Sequence, residues 1–231
     1  MFNPKLTETE FLLDQANYIQ PGVHNDVRRG VCYALSYMWV RLGLQPGGHI
    51  NMHLQAGLQQ RYHKTGIGNA LNRATPGMFL RAVGGSTTTF GQPIYTMQRA
   101  ISAQQQIQGN VMGISSGLRT VCRADGYIEH CIARGHQLNP FEPFSTFLRW
   151  IRQGMARLNQ GFALIGFLGP NSGHAIAIQV QNGNTWRLFD PNFGSFVFNG
   201  YNRFKAELHQ LALIYVAMGT AGGSWMISTF R

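Results

Sequence analysis

Charge is scarce in this chain. Asp, Glu, Lys and Arg make up 12% of its 231 residues, about half the usual share. The deficit is one-sided: nine acidic residues stand against 19 basic ones, for a net charge of +10. The surface must be built largely from uncharged polar groups, and the basic surplus favours acidic partners such as an anionic membrane surface or an acidic protein face. Nucleic acid is not indicated as a partner, because no five-residue window is rich in Lys and Arg and no zinc-finger or RNP-like spacing occurs.

Cysteine is scarce too. The three present, Cys32, Cys122 and Cys131, include no Cys-x-x-Cys. They cannot all pair within one chain, which excludes a disulfide scaffold and favours a reducing compartment. Cys122, His130, Cys131 and His136 are zinc-ligand types, but their spacing fits no finger or ribbon. His49 and His53 stand four apart without the Glu of the zincin pattern. No metal and no cofactor is expected. The opening "MFNPKLTETEFLLDQ" lacks a basic start followed by an apolar run, so no Sec-type signal peptide is read. No 18-residue apolar span occurs, so no transmembrane helix is expected. There is no fixed-period repeat and no clean linker. What is present is a 44% apolar chain, enough for a core. Its length suits a single domain over residues 1–231, with 1–20 either an N-terminal arm or part of the fold.

Periodicity divides the chain. Residues 7–19 read as a short helix, with Thr7 and Glu10 as a capping box. Residues 31–42 read as a buried helix: Val31, Leu35, Met38 and Leu42 share one face, Cys32, Ser36 and Trp39 form an adjacent stripe, and Gly43 ends it. Helical patterns recur at 49–63, 95–107 and 143–158. After residue 160 come short runs of branched and aromatic residues, "GFALIGFLG", "HAIAIQV", "WRLFD" and "SFVFN", separated by turn sequences. They read as an antiparallel meander. A helix at about 200–216 and a last strand, "SWMISTF", follow. Helices first and sheet later make the fold class α+β.

Two features carry chemistry. In a hairpin with a three-residue loop at 181–183, residue 174 faces 190, which sets His174 and Asp190 side by side on one face of the sheet. An imidazole beside a carboxylate is the base and orienter of a triad; it is equally the pattern of a surface histidine near an Asp-Pro turn. Cys32 stands at the first turn of its helix, behind Arg28, Arg29 and Gly30. The helix dipole and the free N–H groups there favour thiolate, although a cysteine in such a run also serves as a small core hydrophobe. His174 follows Cys32 by 142 residues, close to the spacing of papain-like proteases.

The blocks "GVCYALSYMW", "SGHAIAI" and "LFDPNFGSFVF", in this order, resemble the signature blocks of the YopT/AvrPphB family of bacterial effector cysteine proteases. The resemblance implies a papain-like fold, with the nucleophile at the N-terminus of a helix packed on a C-terminal antiparallel sheet that carries the His and the Asp. It implies cysteine endopeptidase activity, with Cys32 as nucleophile, His174 as general base and acid, and Asp190 as orienter. The backbone N–H of Cys32 is one implied oxyanion donor. Asn25 or Asp26 is the side-chain candidate for the other, and of the two only Asn25 has an amide to donate. It further implies an effector secreted through a non-Sec system, acting on a protein substrate in the target-cell cytoplasm, with a secretion chaperone or an immunity protein as further partners. Two rival readings remain at this point. The same triad serves a transglutaminase, a deamidase or a peptidoglycan amidase toxin. Alternatively, the chain is a non-catalytic basic binding module.

Overall fold

The short apolar runs of the C-terminal half become strands, and their turn residues become the reversals between them. A computed structural model of the chain describes residues 2–15, 31–44, 93–108, 114–124, 131–136, 160–169, 172–181, 184–220 and 223–230. Numbered along these residues, the strands are β1 (Thr9–Leu12), β2 (Cys131–His136), β3 (Gln160–Leu168), β4 (Gly173–Gln181), β5 (Thr185–Asp190), β6 (Gly194–Asn199) and β7 (Ser224–Phe230). The helices are α1 (Cys32–Leu44), α2 (Pro93–Gln108), α3 (Ile114–Ala124) and α4 (Tyr201–Ala217).

All seven strands form one sheet in the order β1-β6-β5-β4-β3-β7-β2, and each neighbouring pair is antiparallel. The run β3 to β6 is the expected meander. The alternation of side chains along it gives the sheet two different faces. Phe162, Leu164, Ala175, Ala177 and Phe189 join Val31 and the α1 residues Leu35 and Trp39 in one buried cluster, which also takes in Ile107 of α2 and Leu118 of α3. Ile165, Ile176, Ile178 and Leu188 join Phe204, Leu208 and Leu211 of α4 in the other. Each such side chain contributes about 1.5–3 kcal/mol when taken out of water. The arrangement is an α+β sandwich of helix, sheet and helix.

Three elements differ from the sequence reading. The helix expected at 7–19 is instead a short 3-10 turn, Leu6–Glu8, followed by strand β1. Phe11 and Leu13 are buried while Leu12 between them is exposed. That period of two lets the segment add to the free edge of β6, and tertiary pairing overrides the local helix signal. α3 was not foreseen. Its sequence, "ISSGLRTVCRA", carries a glycine and three β-branched residues among its eleven, and it is held by burying Leu118, Val121 and Cys122. β2 was not foreseen either: among the described residues it pairs only with β7, at the edge of the sheet. α1 runs through Gly43 to Leu44, whereas α2 and α4 lie within two residues of their expected bounds. The helical patterns at 49–63 and 143–158, His49 and His53 lie outside the described residues.

Candidate active site

α1 and the sheet are brought together by one stripe of the helix. Cys32, Ser36 and Trp39 are each buried, and each reaches a different part of the same strand ends. The Ser36 hydroxyl donates to the carbonyl oxygen of Ala175 at 3.0 Å, the residue after His174. The Trp39 indole stacks on Phe189, the residue before Asp190, with ring centroids 5.7 Å apart and an interplanar angle of 6°. Cys32, at the first turn, is near enough to the His174 imidazole to add to its raised pKa. The spacing of cysteine, serine and tryptophan along one helical face thus sets the helix against the two strands that carry the histidine and the aspartate.

The hairpin β4–β5 has a three-residue connection, but one shifted from expectation. Gln181 pairs with Thr185 and Val180 with Trp186, so the loop is 182–184 and the register is displaced by two residues. Side chains alternate with a period of two, so this displacement keeps His174 and Asp190 on the same face. They meet diagonally: His174 Nε2 lies 3.1 Å from Asp190 Oδ1. The carboxylate only accepts, so Nε2 carries the hydrogen, and Nδ1 is the nitrogen left for the Cys32 thiol. Both side chains are buried, at 3% and 0% exposure.

Asp190 is held from three sides. Besides His174, the Asn192 backbone N–H donates to its Oδ1 at 2.8 Å. The Tyr215 hydroxyl reaches both carboxylate oxygens at 3.0 Å. The Tyr215 ring also stacks on the His174 imidazole, with centroids 4.3 Å apart. Burial acts to strip the proton from His174. The Asp190 charge and hydrogen bond, with a smaller contribution from Cys32, outweigh it and raise the imidazole pKa from 6.5 to about 10. Burial, followed by the nearby Asp190 charge, pushes the Tyr215 phenol well above its ordinary value, so Tyr215 is a hydrogen-bond donor and not a base.

Every residue of the turn "DPNFG" has work in this arrangement. Asp190 anchors His174. The Pro191 carbonyl accepts from the Gln15 backbone N–H at 2.9 Å. Asn192 Nδ2 donates to Tyr215 at 3.0 Å. The Phe193 ring packs edge-on to Tyr215 and Phe2. Gly194 has φ +121°, and a Cβ there would stand 2.1 Å from the carbonyl oxygen of Phe11, so only glycine lets β1 lie against the turn.

The structure therefore pairs His174 with Asp190 and sets Cys32 within electrostatic reach of the imidazole. Asn25 and Asp26 lie outside the described residues. At the start of α1, the N–H groups of Val31 and Ala34 donate to side chains, while among the described residues none accepts from the N–H of Cys32. Cys122 is buried and in no disulfide, and no group of three His, Cys, Asp or Glu side chains that could hold a metal occurs among the described residues. Sequence reasoning missed Tyr215 and Asn192. The signal for Tyr215 was a tyrosine on the apolar face of the C-terminal helix, since a buried phenol needs a partner. The signal for Asn192 was its fixed place two residues after the aspartate.

Residues 148–221 match the family model Peptidase_C58, described as Yersinia/Haemophilus virulence surface antigen. The match spans His174, Asp190 and Tyr215 and leaves out the Cys32 block. No curated protein sequence matches the chain. Among solved structures, the chain is similar to the Pseudomonas avirulence protein AvrPphB, with a TM-score of 0.54 and 13% identity over 94% of this chain and 100% of that one. It is also similar to PatoxP, a cysteine protease-like domain of the Photorhabdus asymbiotica toxin PaTox, with a TM-score of 0.41 and 11% identity over 94% of this chain and 52% of that one. At these identities the likeness to AvrPphB is one of fold. The resemblance first read in the sequence is thus met by a family model over the C-terminal blocks and by the papain-like fold over nearly the whole chain.

Proposed function

We propose that this chain is a papain-like cysteine endopeptidase of the bacterial effector type, cleaving a protein of a target cell through Cys32, His174 and Asp190. The observation that carries this reading is the buried His174–Asp190 pair, with a cysteine from the first turn of a helix against the same imidazole. An ordinary core cysteine needs no such partner.

In the reaction, His174, with its pKa raised to about 10, starts as the imidazolium and holds the proton of Cys32 on Nδ1. The resulting thiolate attacks the carbonyl carbon of the scissile peptide bond, and the carbonyl oxygen takes up the electron pair. The N–H of Cys32, which has no acceptor among the described residues, is our candidate for the first donor to that oxygen. Asn25 remains our candidate for the second donor. The imidazolium, held by Asp190, then protonates the leaving amine, the carbon–nitrogen bond breaks, and a thioester is left on Cys32. Water gives a proton to His174 and attacks the thioester; the acid leaves and the thiol is restored. Asp190 keeps its charge throughout and fixes the tautomer of the ring. The description of the matched family as a virulence surface antigen, and of AvrPphB as an avirulence protein, supports a role against another cell; delivery into that cell by a route other than Sec is part of this reading. The partner is a protein substrate; the net charge of +10 supports action at an anionic surface.

The test is a proteome incubated with wild-type protein or with Cys32→Ala, then mapped for new N-termini by mass spectrometry. New N-termini that require Cys32 are expected. Cleavage retained by a folded Cys32→Ala protein would sink the proposal. Cross-links or deamidated glutamines in place of new termini would move the chemistry to acyl transfer.

A further inference from the structure

The N-terminus of α1 is capped by glutamines from distant segments. The Ala34 N–H donates to Gln104 Oε1 at 3.0 Å, and the Val31 N–H donates to Gln15 Oε1 at 2.8 Å. Gln15 is buried, and its other end is also committed: Nε2 donates to Asn192 Oδ1 at 2.7 Å. Asn192 in turn binds Asp190 through its backbone and Tyr215 through its side chain. A single side chain therefore spans from the residue before Cys32 to the turn that carries Asp190.

Its own anchorage is firm. The segment that presents Gln15 pairs as β1 with β6. Arg203 of α4 donates to the Glu8 carboxylate and to Glu207, and the Asn3 N–H donates to Glu207 at 3.0 Å. Phe2 packs edge-on to Phe193 and Phe196.

We propose that Gln15 is a positioning residue that sets the distance between Cys32 and the His174–Asp190 pair, making the N-terminal segment 2–15 a structural part of the reacting centre. The inference rests on the triad reading above. Its physical ground is that the first turn of a helix is the part least held by the helix itself, because its N–H groups have no intrahelical acceptors. Ser36 and Trp39 fix the body of α1, one and two turns further on. Gln15 fixes Val31, the residue that immediately precedes the helix and the thiol. It touches none of the three reacting side chains and acts through Val31 on one side and Asn192 on the other.

Two variants cut the link from opposite ends: Gln15→Met keeps the length and removes both hydrogen-bonding atoms, and Asn192→Ala removes the far partner. The readout is the rate of Cys32 alkylation by iodoacetamide, followed by peptide mass spectrometry from mildly acid to alkaline pH. Cys122, also buried, is the internal reference, and circular dichroism checks the fold. In each variant the Cys32 rate should fall about ten- to a hundredfold at neutral pH, with an altered pH profile, while the Cys122 rate stays constant. The double variant should be less impaired than the product of the two single losses, because both remove the Gln15–Asn192 bond. A merely structural role would lower the melting temperature and leave the Cys32 rate and pH profile of the folded variants at wild-type values; that result overturns the inference and leaves the triad reading standing. Should Gln15→Met not fold, Gln15→Ala takes its place, since Asn192→Ala also removes the bond from Asn192 to Tyr215. If wild-type Cys32 reacts no faster than Cys122, the triad reading fails and this inference falls with it.

Discussion

Replacing Tyr215 by Phe removes one oxygen atom from the buried centre and leaves the ring that stacks on His174. That oxygen donates to both oxygens of Asp190, at 3.0 Å each, and accepts from Asn192 Nδ2 at 3.0 Å. Asp190 has no exposed surface, so no water replaces the lost donor directly. A hydrogen bond to a charged group is worth about 1.5–3 kcal/mol. For a domain of this size each kcal/mol moves the melting temperature by about 2–4 °C, so Tyr215→Phe should melt about 3–12 °C below wild type in scanning calorimetry at neutral pH. The same change in an Asp190→Asn background should cost less, about 0.5–1.5 kcal/mol, because the bond is then between neutral groups. A drop smaller than about 1 °C, or an equal drop in both backgrounds, would refute the placement of the phenol on a charged Asp190.

Other consequences concern the same centre. The folded-state pKa of His174 is raised from 6.5 to about 10, so its contribution to stability is fully present below pH 6.5 and is lost as the pH rises through about 10; urea denaturation should show stability falling over that window by up to about 1.4 kcal/mol per pH unit, with the slope absent in His174→Phe. Gly166→Ala puts a Cβ 1.7 Å from the Tyr33 hydroxyl, next in sequence to Cys32. It should cost about 1–3 kcal/mol by thermal unfolding and should also slow Cys32 labelling, because the buried Tyr33 ring must shift. Ser36→Ala frees the Ala175 carbonyl; it should cost about 1–3 kcal/mol in denaturant titration, and a change within error would argue against the close seating of α1 on β4.

The C-terminal half was legible because each of its signals is local. Alternation in "HAIAIQV" and "WRLFD" marks strands, and the turn residues between them mark reversals. The side-by-side placement of His174 and Asp190 survived a two-residue error in register, because only the parity of the register decides which face a side chain takes. The N-terminal segment was misread for the opposite reason. Thr7 and Glu10 suit a capping box, yet what decides the conformation of 9–12 is the open edge of β6 and the glycine at 194 that lets β1 approach. Gln15 could not be found from its neighbours, since its two partners, Val31 and Asn192, lie far away along the chain. The stripe of Cys32, Ser36 and Trp39 was visible as a stripe. Its meaning was not, because each residue answers to a strand that the helix sequence does not contain.

The central claim is that Cys32 is activated by His174. It is tested most directly by labelling the native protein with a trans-epoxysuccinyl inhibitor of papain-like enzymes and locating the adduct by peptide mass spectrometry. The geometry predicts that Cys32 is labelled well before Cys122 and Cys131, and that His174→Ala abolishes this preference while the fold persists. Labelling of Cys32 no faster than Cys122 in the folded wild-type protein, or labelling that survives unchanged in His174→Ala, would contradict it.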